Sequence, residues 1–313
     1  MPDESGLDLE ACLPPALRGP DTTISVIAAG LSGAGVYRVD AGGRSYVLKR
    51  SADGVAFDAW RGHLTTLRAA AAAGLAPRIV HVDETHRAVV SEFVVDQSFV
   101  RRYRDPATGD AALAQLGRTL RRVHDLPLPH DVASTDARTQ LERIWASLGN
   151  DVAMPAFVGD TVRGLLAEEM PESGRPLVLS HNDVNPSNLV HDGERLLLLD
   201  WDAAGANDPY YDLAVVAMFL RMDVASCLTM LGAYDNAPVS ELPARFAYDR
   251  RLAAVLAGTT FFSLHPGHRG GATPDAQLTL GECYERMRSG AMSLASPEGQ
   301  RAFALALIRE GAA

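Results

Sequence analysis

The chain has 313 residues, 47% of them hydrophobic, which is enough for two lobes around separate cores. Its formal net charge of −10 argues against nucleic acid as a partner and suits a cationic small molecule drawn in by long-range attraction. No apolar run reaches the roughly 20 residues of a membrane helix, and Cys12, Cys227 and Cys283 are scattered without metal-ligand spacing, so a reducing, cytoplasmic setting with no disulfide framework is expected.

Residues 1–21 are acidic and proline-containing, with neither a basic start nor an apolar stretch, and read as a mobile extension rather than a secretion signal. Thr22 to Ala28 is rich in β-branched residues and predicts a strand. Gly30-Leu31-Ser32-Gly33-Ala34-Gly35 follows, then a strand over Val36–Val39, a turn over Asp40–Gly43 and a third strand over Ser45–Lys49. Strand, glycine loop, strand lets backbone N–H groups approach phosphate oxygens closely, so Gly30, Ser32, Gly33 and Gly35 are candidate phosphate contacts. It is not a Walker A loop, because no Gly-Lys-Ser/Thr follows and no helix opens at the glycines. Lys49, at the end of Tyr46-Val47-Leu48, can reach the α- and β-phosphates of a nucleotide.

Phe57–Ala73 predicts a helix, and Arg78–Val82 and Ala88–Val94 two more strands. A boundary is expected near Val95 to Ser98, giving a sheet-bearing lobe over residues 22–95 and a mainly helical one over 96–313. Asp110–His124 places Leu113, Leu116, Leu120 and Val123 in one stripe. Thr135–Leu148, Phe157–Glu169, Pro209–Leu220, Ala225–Tyr234, Pro243–Phe262, Ala276–Leu294 and Pro297–Glu310 read the same way. His265-Pro266-Gly267-His268 has no third or fourth metal ligand beside it and reads as a polar loop.

The densest chemistry lies between these helices. His181-Asn182-Asp183-Val184-Asn185-Pro186-Ser187-Asn188 is loop chemistry. Leu189-Val190 and Leu196–Leu199 then read as two strands joined at Asp192-Gly193, and Asp200-Trp201-Asp202 leaves the second. Asp183 can accept a hydrogen bond from an attacking hydroxyl and take its proton. Asn188 and Asp200 offer oxygen ligands to Mg²⁺, and Asp202 a further metal contact. His181 and Asp212, in Asp208-Pro209-Tyr210-Tyr211-Asp212, are expected to hold the catalytic loop rather than touch substrate. Phosphoryl transfer from a metal-bound nucleotide needs these groups and little covalent work beyond them.

The order of the glycine loop, Lys49, the His181 motif and Asp200-Trp201-Asp202 resembles the protein-kinase-like small-molecule kinases: aminoglycoside phosphotransferases and choline, ethanolamine, thiamine and homoserine kinases. Leu113-x-x-Leu116-Gly117 through Val123-His124, Ala73–Pro77 and Ser91–Val94 extend the resemblance over nearly the whole chain. It implies an α+β, bilobal protein-kinase-like fold, with a small antiparallel sheet in the N-lobe and a larger helical C-lobe. It also implies ATP and Mg²⁺ as cofactors, and hinge backbone groups near Glu92 to Val94 that contact adenine. Only Trp201 to Tyr211 separates Asp200 from Asp212, which leaves little room for the peptide-docking segment of a protein kinase. Asp200-Trp201-Asp202 is similar to the choline-kinase pattern, whereas aminoglycoside enzymes commonly have glycine at the third position. Asn182–Pro186 and Asp208–Tyr211 also look like bacterial choline-kinase-like proteins.

A choline-like acceptor needs aromatic faces and an acidic neighbour, and Trp145, Tyr211, Tyr234, Tyr248, Phe261, Phe262 and Tyr284 are the candidates. The family also pairs its strand lysine with a helix glutamate, and none occurs between Arg50 and Val82. Asp58 or His63 takes its place, or the lysine is held otherwise. The expected activity is phosphorylation of a small-molecule hydroxyl, with choline or a related amino alcohol foremost and no nucleic acid, membrane or obligate protein partner. Aminoglycosides, thiamine and other small alcohols are alternatives, and a nucleotide-binding pseudokinase acting as sensor or scaffold is a rival of another class.

Overall fold

The computed structural model describes residues 8–29, 34–129, 136–148, 154–264 and 277–312. In chain order, β1 (Thr23–Ala29), β2 (Gly35–Ala41) and β3 (Arg44–Arg50) are followed by α1 (Phe57–Ala72), β4 (Ile79–Asp83) and β5 (Ala88–Glu92). Then come α2 (Phe99–Arg104), α3 (Gly109–His124), α4 (Ala137–Leu148), α5 (Ala156–Ala167) and β6 (Val178–Ser180). The hairpin β7 (Leu189–His191) and β8 (Leu196–Leu198) leads to β9 (Gly205–Asn207) and α6 (Pro209–Leu220). The chain ends with α7 (Val224–Asp235), α8 (Ala244–Ser263), α9 (Leu280–Arg288) and α10 (Pro297–Ala312). The fold is the expected α+β one. Among the described residues no helix is long and apolar enough to cross a membrane.

Two compact units form, Met1–Pro127 with Pro186–Ala204, and Leu128–Asn185 with Gly205–Ala313. In the first, five antiparallel strands lie in the order β1-β2-β3-β5-β4. Gly42 and Gly43 turn β2 into β3 at φ 57° and 71°, values that glycine adopts without steric cost. On α1, Trp60 and Leu64 are one turn apart and pack on Val89 of β5. The β7–β8 hairpin also belongs to this unit, and Leu198 N–H donates to Leu75 O at 2.8 Å. Gly193 closes its turn at φ 108°, where a Cβ would also meet Gln97 Nε2 at 2.6 Å.

The start of the chain is a correction. Residues 8–21 are not a mobile extension: Leu9–Cys12 and Pro15–Leu17 are short 3₁₀ turns. Leu9, Cys12, Leu13 and Leu17 are buried with Val39, Tyr46, Leu48 and Val90. The prolines mark turns in a segment whose apolar residues cover the sheet; residues 1–7 lie outside the described residues. Two elements escaped the sequence reading, the six-residue α2 and the three-residue β9 that pairs with β6. The helix expected over Ala276–Leu294 is shorter, since Thr279 and Glu282 form a capping box that starts α9 and Gly290 follows its end. The expected polar loop His265–His268 lies outside the described residues.

The second unit is a helical assembly around α8, whose Tyr248, Leu252, Val255 and Leu256 pack with Tyr211, Val215 and Met218 of α6 and Phe303 and Leu307 of α10. Leu148, Val158, Phe262, Leu305 and Ile308 form a smaller neighbouring core. β6 and β9 pair antiparallel in this unit and bracket the loop that carries Asp183 with the start of α6.

Candidate active site

Lys49 lies on β3, opposite Val36 of β2 and Val89 of β5. Its ammonium contacts Asp200 Oδ1 at 2.7 Å and Asp202 Oδ2 at 2.8 Å. Neither Asp58 nor His63 is its partner among the described residues; the lysine is held by the two carboxylates beyond the hairpin. Burial pulls its pKa down, but the charges of Asp202 and Asp200 outweigh that and raise it above the ordinary lysine value, so it stays protonated.

The hairpin explains how the carboxylates are placed. Leu199 N–H donates to Asn188 O at 2.9 Å, which ties the turn Pro186–Asn188 to the strand that delivers Asp200. Trp201 is buried, and its indole Nε1 donates to Leu198 O at 3.0 Å. Asp200 adopts φ 59°, a left-handed conformation rare for a non-glycine residue. Such strain persists only where the surroundings enforce it, and it gathers at functional sites.

A metal's fit can be tested on this donor set. Two carboxylates from different residues reach one cationic centre, and Asn188 lies immediately before β7 of the same hairpin. Oxygen donors of this kind suit a hard divalent ion such as Mg²⁺. The residues present therefore fit the group.

In the second unit, Asp212 is fully buried in the first turn of α6. Its carboxylate accepts from His181 N–H and Asn182 N–H, both at 2.7 Å. His181 is also fully buried, and its Nδ1 accepts from Asp183 N–H at 3.3 Å. That bond requires Nδ1 to carry no proton. Asn182 sits at φ 63°, and its Oδ1 accepts from Asn207 Nδ2 at 2.9 Å. Asn185 Nδ2 donates to Asp183 Oδ1 at 2.8 Å, which holds the carboxylate in one orientation. His181 and Asp212 thus both hydrogen-bond to the backbone of the loop that carries Asp183. Asn185 and Asn207 were not foreseen as supports. Asn185 lies inside the motif, but asparagine there reads equally as turn chemistry.

Gly30, Ser32 and Gly33 lie outside the described residues, between paired strands that close with Ala29 opposite Gly35. Glu92 forms an ion pair with Arg78 at 2.6 Å, and its N–H donates to Arg78 O at 2.9 Å. The Val94 backbone has no hydrogen-bond partner among the described residues. Tyr211 is buried, with Trp145 and Phe261 packed against the same core. Burial and then the charges of Asp249, Asp212, Asp183 and Asp136 raise its pKa, so the phenol stays protonated in an acidic field. Phe262 packs in the smaller core, with Arg301 5.3 Å from its ring centroid. Tyr234 already faces a cation of the protein, Arg175, whose guanidinium lies 5.8 Å from its ring and 4.6 Å from that of Tyr210. Asp235 binds the same Arg175 through two bonds of 2.7 Å.

The match to known proteins follows the same outline. A choline kinase LicA from Streptococcus pneumoniae superposes with a TM-score of 0.62 over 88% of this chain and 94% of that one, at 16% identity. A spectinomycin phosphotransferase solved with ADP and spectinomycin superposes with a TM-score of 0.55 over 91% of this chain and 93% of that one, at 15% identity. At these identities the likeness establishes the fold alone. Protein LicA of Haemophilus influenzae is 32% identical over 56 residues, 18% of this chain and only 21% of that relative's length. The model of the phosphotransferase enzyme family matches residues 23–251. The chain belongs to that family.

Proposed function

We propose that the chain is a small-molecule kinase that transfers the γ-phosphoryl group of ATP, with Mg²⁺, to the hydroxyl of a small amino alcohol, choline foremost, in the cytoplasm. The observation that carries the reading is the meeting of Asp200 and Asp202 on one cationic centre, the Lys49 ammonium. Asp183 is the base: Asn185 fixes one of its oxygens, and its backbone is held through His181 and Asp212. It accepts the acceptor's hydroxyl hydrogen bond and takes the proton as the P–O bond forms. Asn188, Asp200 and Asp202 would hold Mg²⁺, which supplies charge neutralisation on the phosphates when bound. Lys49 and the segment from Gly30 to Gly35 would bind phosphate oxygens, and the Glu92–Val94 backbone would meet the adenine. The acidic field at Tyr211, with Trp145 and Phe261 on the same core, supports a cationic acceptor. Tyr234 and Phe262 have arginine neighbours and contribute less to it.

The test is ADP release from MgATP across choline, ethanolamine, thiamine, homoserine and aminoglycosides, with Asp183→Ala and Asp200→Ala alongside wild type. Choline should give the highest kcat/KM. Asp183→Ala should lower kcat by about 10²–10⁴-fold with nucleotide binding retained. Asp200→Ala should abolish metal-dependent nucleotide binding. Full turnover in both variants would overturn the residue roles, and preference for an aminoglycoside would overturn the acceptor.

A further inference from the structure

Cys12 is buried in the first 3₁₀ turn, where the amino-terminal segment docks on the sheet. Asp83 is the last residue of β4, and His86 lies in the turn that joins it to β5. The thiol, a carboxylate oxygen and an imidazole nitrogen of these three residues all lie within 4.8 Å of one another. No spacing in the sequence foretold this, because the docked segment brings the thiol to the turn.

The turn itself is prepared for a ligand. Asp83 Oδ1 accepts from Thr85 N–H at 2.9 Å and His86 N–H at 3.1 Å, which fixes the carboxylate. Its Oδ2 lies 2.6 Å from His86 Nδ1, which orients the ring. Burial pushes the Asp83 pKa up, but the bonds from His86 and Thr85 bring it below the ordinary carboxylate value. A thiolate, an imidazole and a carboxylate together select a borderline divalent ion, since Mg²⁺ prefers oxygen alone.

We propose that Cys12, Asp83 and His86 form a binding site for Zn²⁺ or a similar borderline divalent ion, separate from the catalytic residues. Zinc holds sulfur at about 2.3 Å and nitrogen or oxygen at about 2.0–2.2 Å, so ligand-to-ligand separations are roughly 3.2–3.8 Å. Atoms as far apart as 4.8 Å close by about 1–1.6 Å to reach them. Cys12 releases its thiol proton to solvent as the sulfur–metal bond forms. Asp83 contributes a carboxylate oxygen as the third protein ligand beside Cys12 and His86. Asp83 and His86 are only partly buried, so a water can reach the fourth position. The ion fastens residues 8–17 to the β4–β5 turn and thereby stabilises the cover over the sheet.

The experiment is titration of the chelator-treated, reduced full chain with Co²⁺, following thiolate-to-cobalt charge-transfer absorption, and then displacement by Zn²⁺. One equivalent of Co²⁺ should develop the band, and Zn²⁺ should abolish it. Zn²⁺ at a hundredfold excess over its Kd should raise the folded-to-unfolded ratio about a hundredfold, read as a higher Tm that a chelator reverses. Cys12→Ser should remove band and shift, although Cys227 and Cys283 remain; His86→Gln, which keeps the thiol, should weaken both. Binding by the catalytic oxygen ligands gives no thiolate band, so the two sites are told apart. No band in the wild type, or an undiminished band in both variants, overturns the site.

Discussion

Asp212→Asn tests whether a buried carboxylate shapes the catalytic loop. Asp212 accepts two backbone N–H bonds of 2.7 Å, from His181 and Asn182, in a fully buried setting. It also lies in the first turn of α6, where a negative charge faces the positive end of the helix dipole. Asparagine keeps the shape but offers one acceptor oxygen in the plane, and its NH₂ then faces the other backbone donor. One charge-assisted bond, worth about 1.5–3 kcal/mol, is lost, and a buried donor is left unsatisfied at about 1–3 kcal/mol. The expected loss is about 3–5 kcal/mol, or a Tm lowered by roughly 6–15 °C if the unit melts cooperatively. The loop carries Asp183, the proposed base, and a 1 Å displacement of a catalytic group costs about 10²-fold in rate. Scanning calorimetry and ADP release measure the two effects separately. A variant with wild-type Tm and wild-type kcat would refute the account. A lowered Tm with unchanged kcat would refute the positioning role alone.

Two further outcomes are expected. Leu13→Ala, at a fully buried position of the amino-terminal segment, should cost about 2–5 kcal/mol in urea unfolding, and no loss would mean the segment is not packed. Asp249 is fully buried beside Arg245, and burial pushes its pKa up to about 7 against the pull of that guanidinium. Its folded pKa exceeds the unfolded one, so the native state holds the extra proton between about pH 4 and 7. Stability from this group is present below pH 4 and is lost as pH rises through 7. Asp249→Asn should therefore gain on the wild type as pH rises from 4 to 8, and a pH-independent difference between the two proteins would contradict this.

What the sequence disclosed and what it hid divide along chemical lines. In the segment from His181 to Asp202 the hairpin was legible, because its turn at Asp192-Gly193 was visible between two leucine runs. The strands before Lys49 and most helices were legible by periodicity. The partner of Lys49 was not, because Asp200 lies 151 positions away and only tertiary folding brings it to 2.7 Å. The return of Pro186–Ala204 to the first unit was hidden for the same reason. In the amino-terminal segment, Pro14 and Pro15 drew attention to turns, while Leu9, Leu13 and Leu17 already recurred every fourth residue. β9 and α2 are too short to show a period at all. Tyr234 and Phe262 illustrate a further limit: an aromatic type reveals a face for a cation but not which cation occupies it.

The ion pair of Lys49 changes how the missing helix glutamate is understood. A glutamate on α1 would give the lysine its own counter-charge and leave Asp200 and Asp202 with a formal charge of minus two. Here the lysine uses one oxygen of each carboxylate, so the three groups together carry a formal charge of minus one. Both carboxylates are therefore oriented by a contact internal to the first unit, and α1 needs no charged residue to take part. On the proposed reading, Mg²⁺ and Lys49 draw on the same pair of carboxylates. Bound there, Mg²⁺ would be held by carboxylates that Lys49 already orients and partly neutralises, and would supply charge neutralisation on the phosphates. The absence of the helix glutamate is thus no argument for a silent pseudokinase: it moves the lysine's anchor from the helix to the residues proposed to hold the metal.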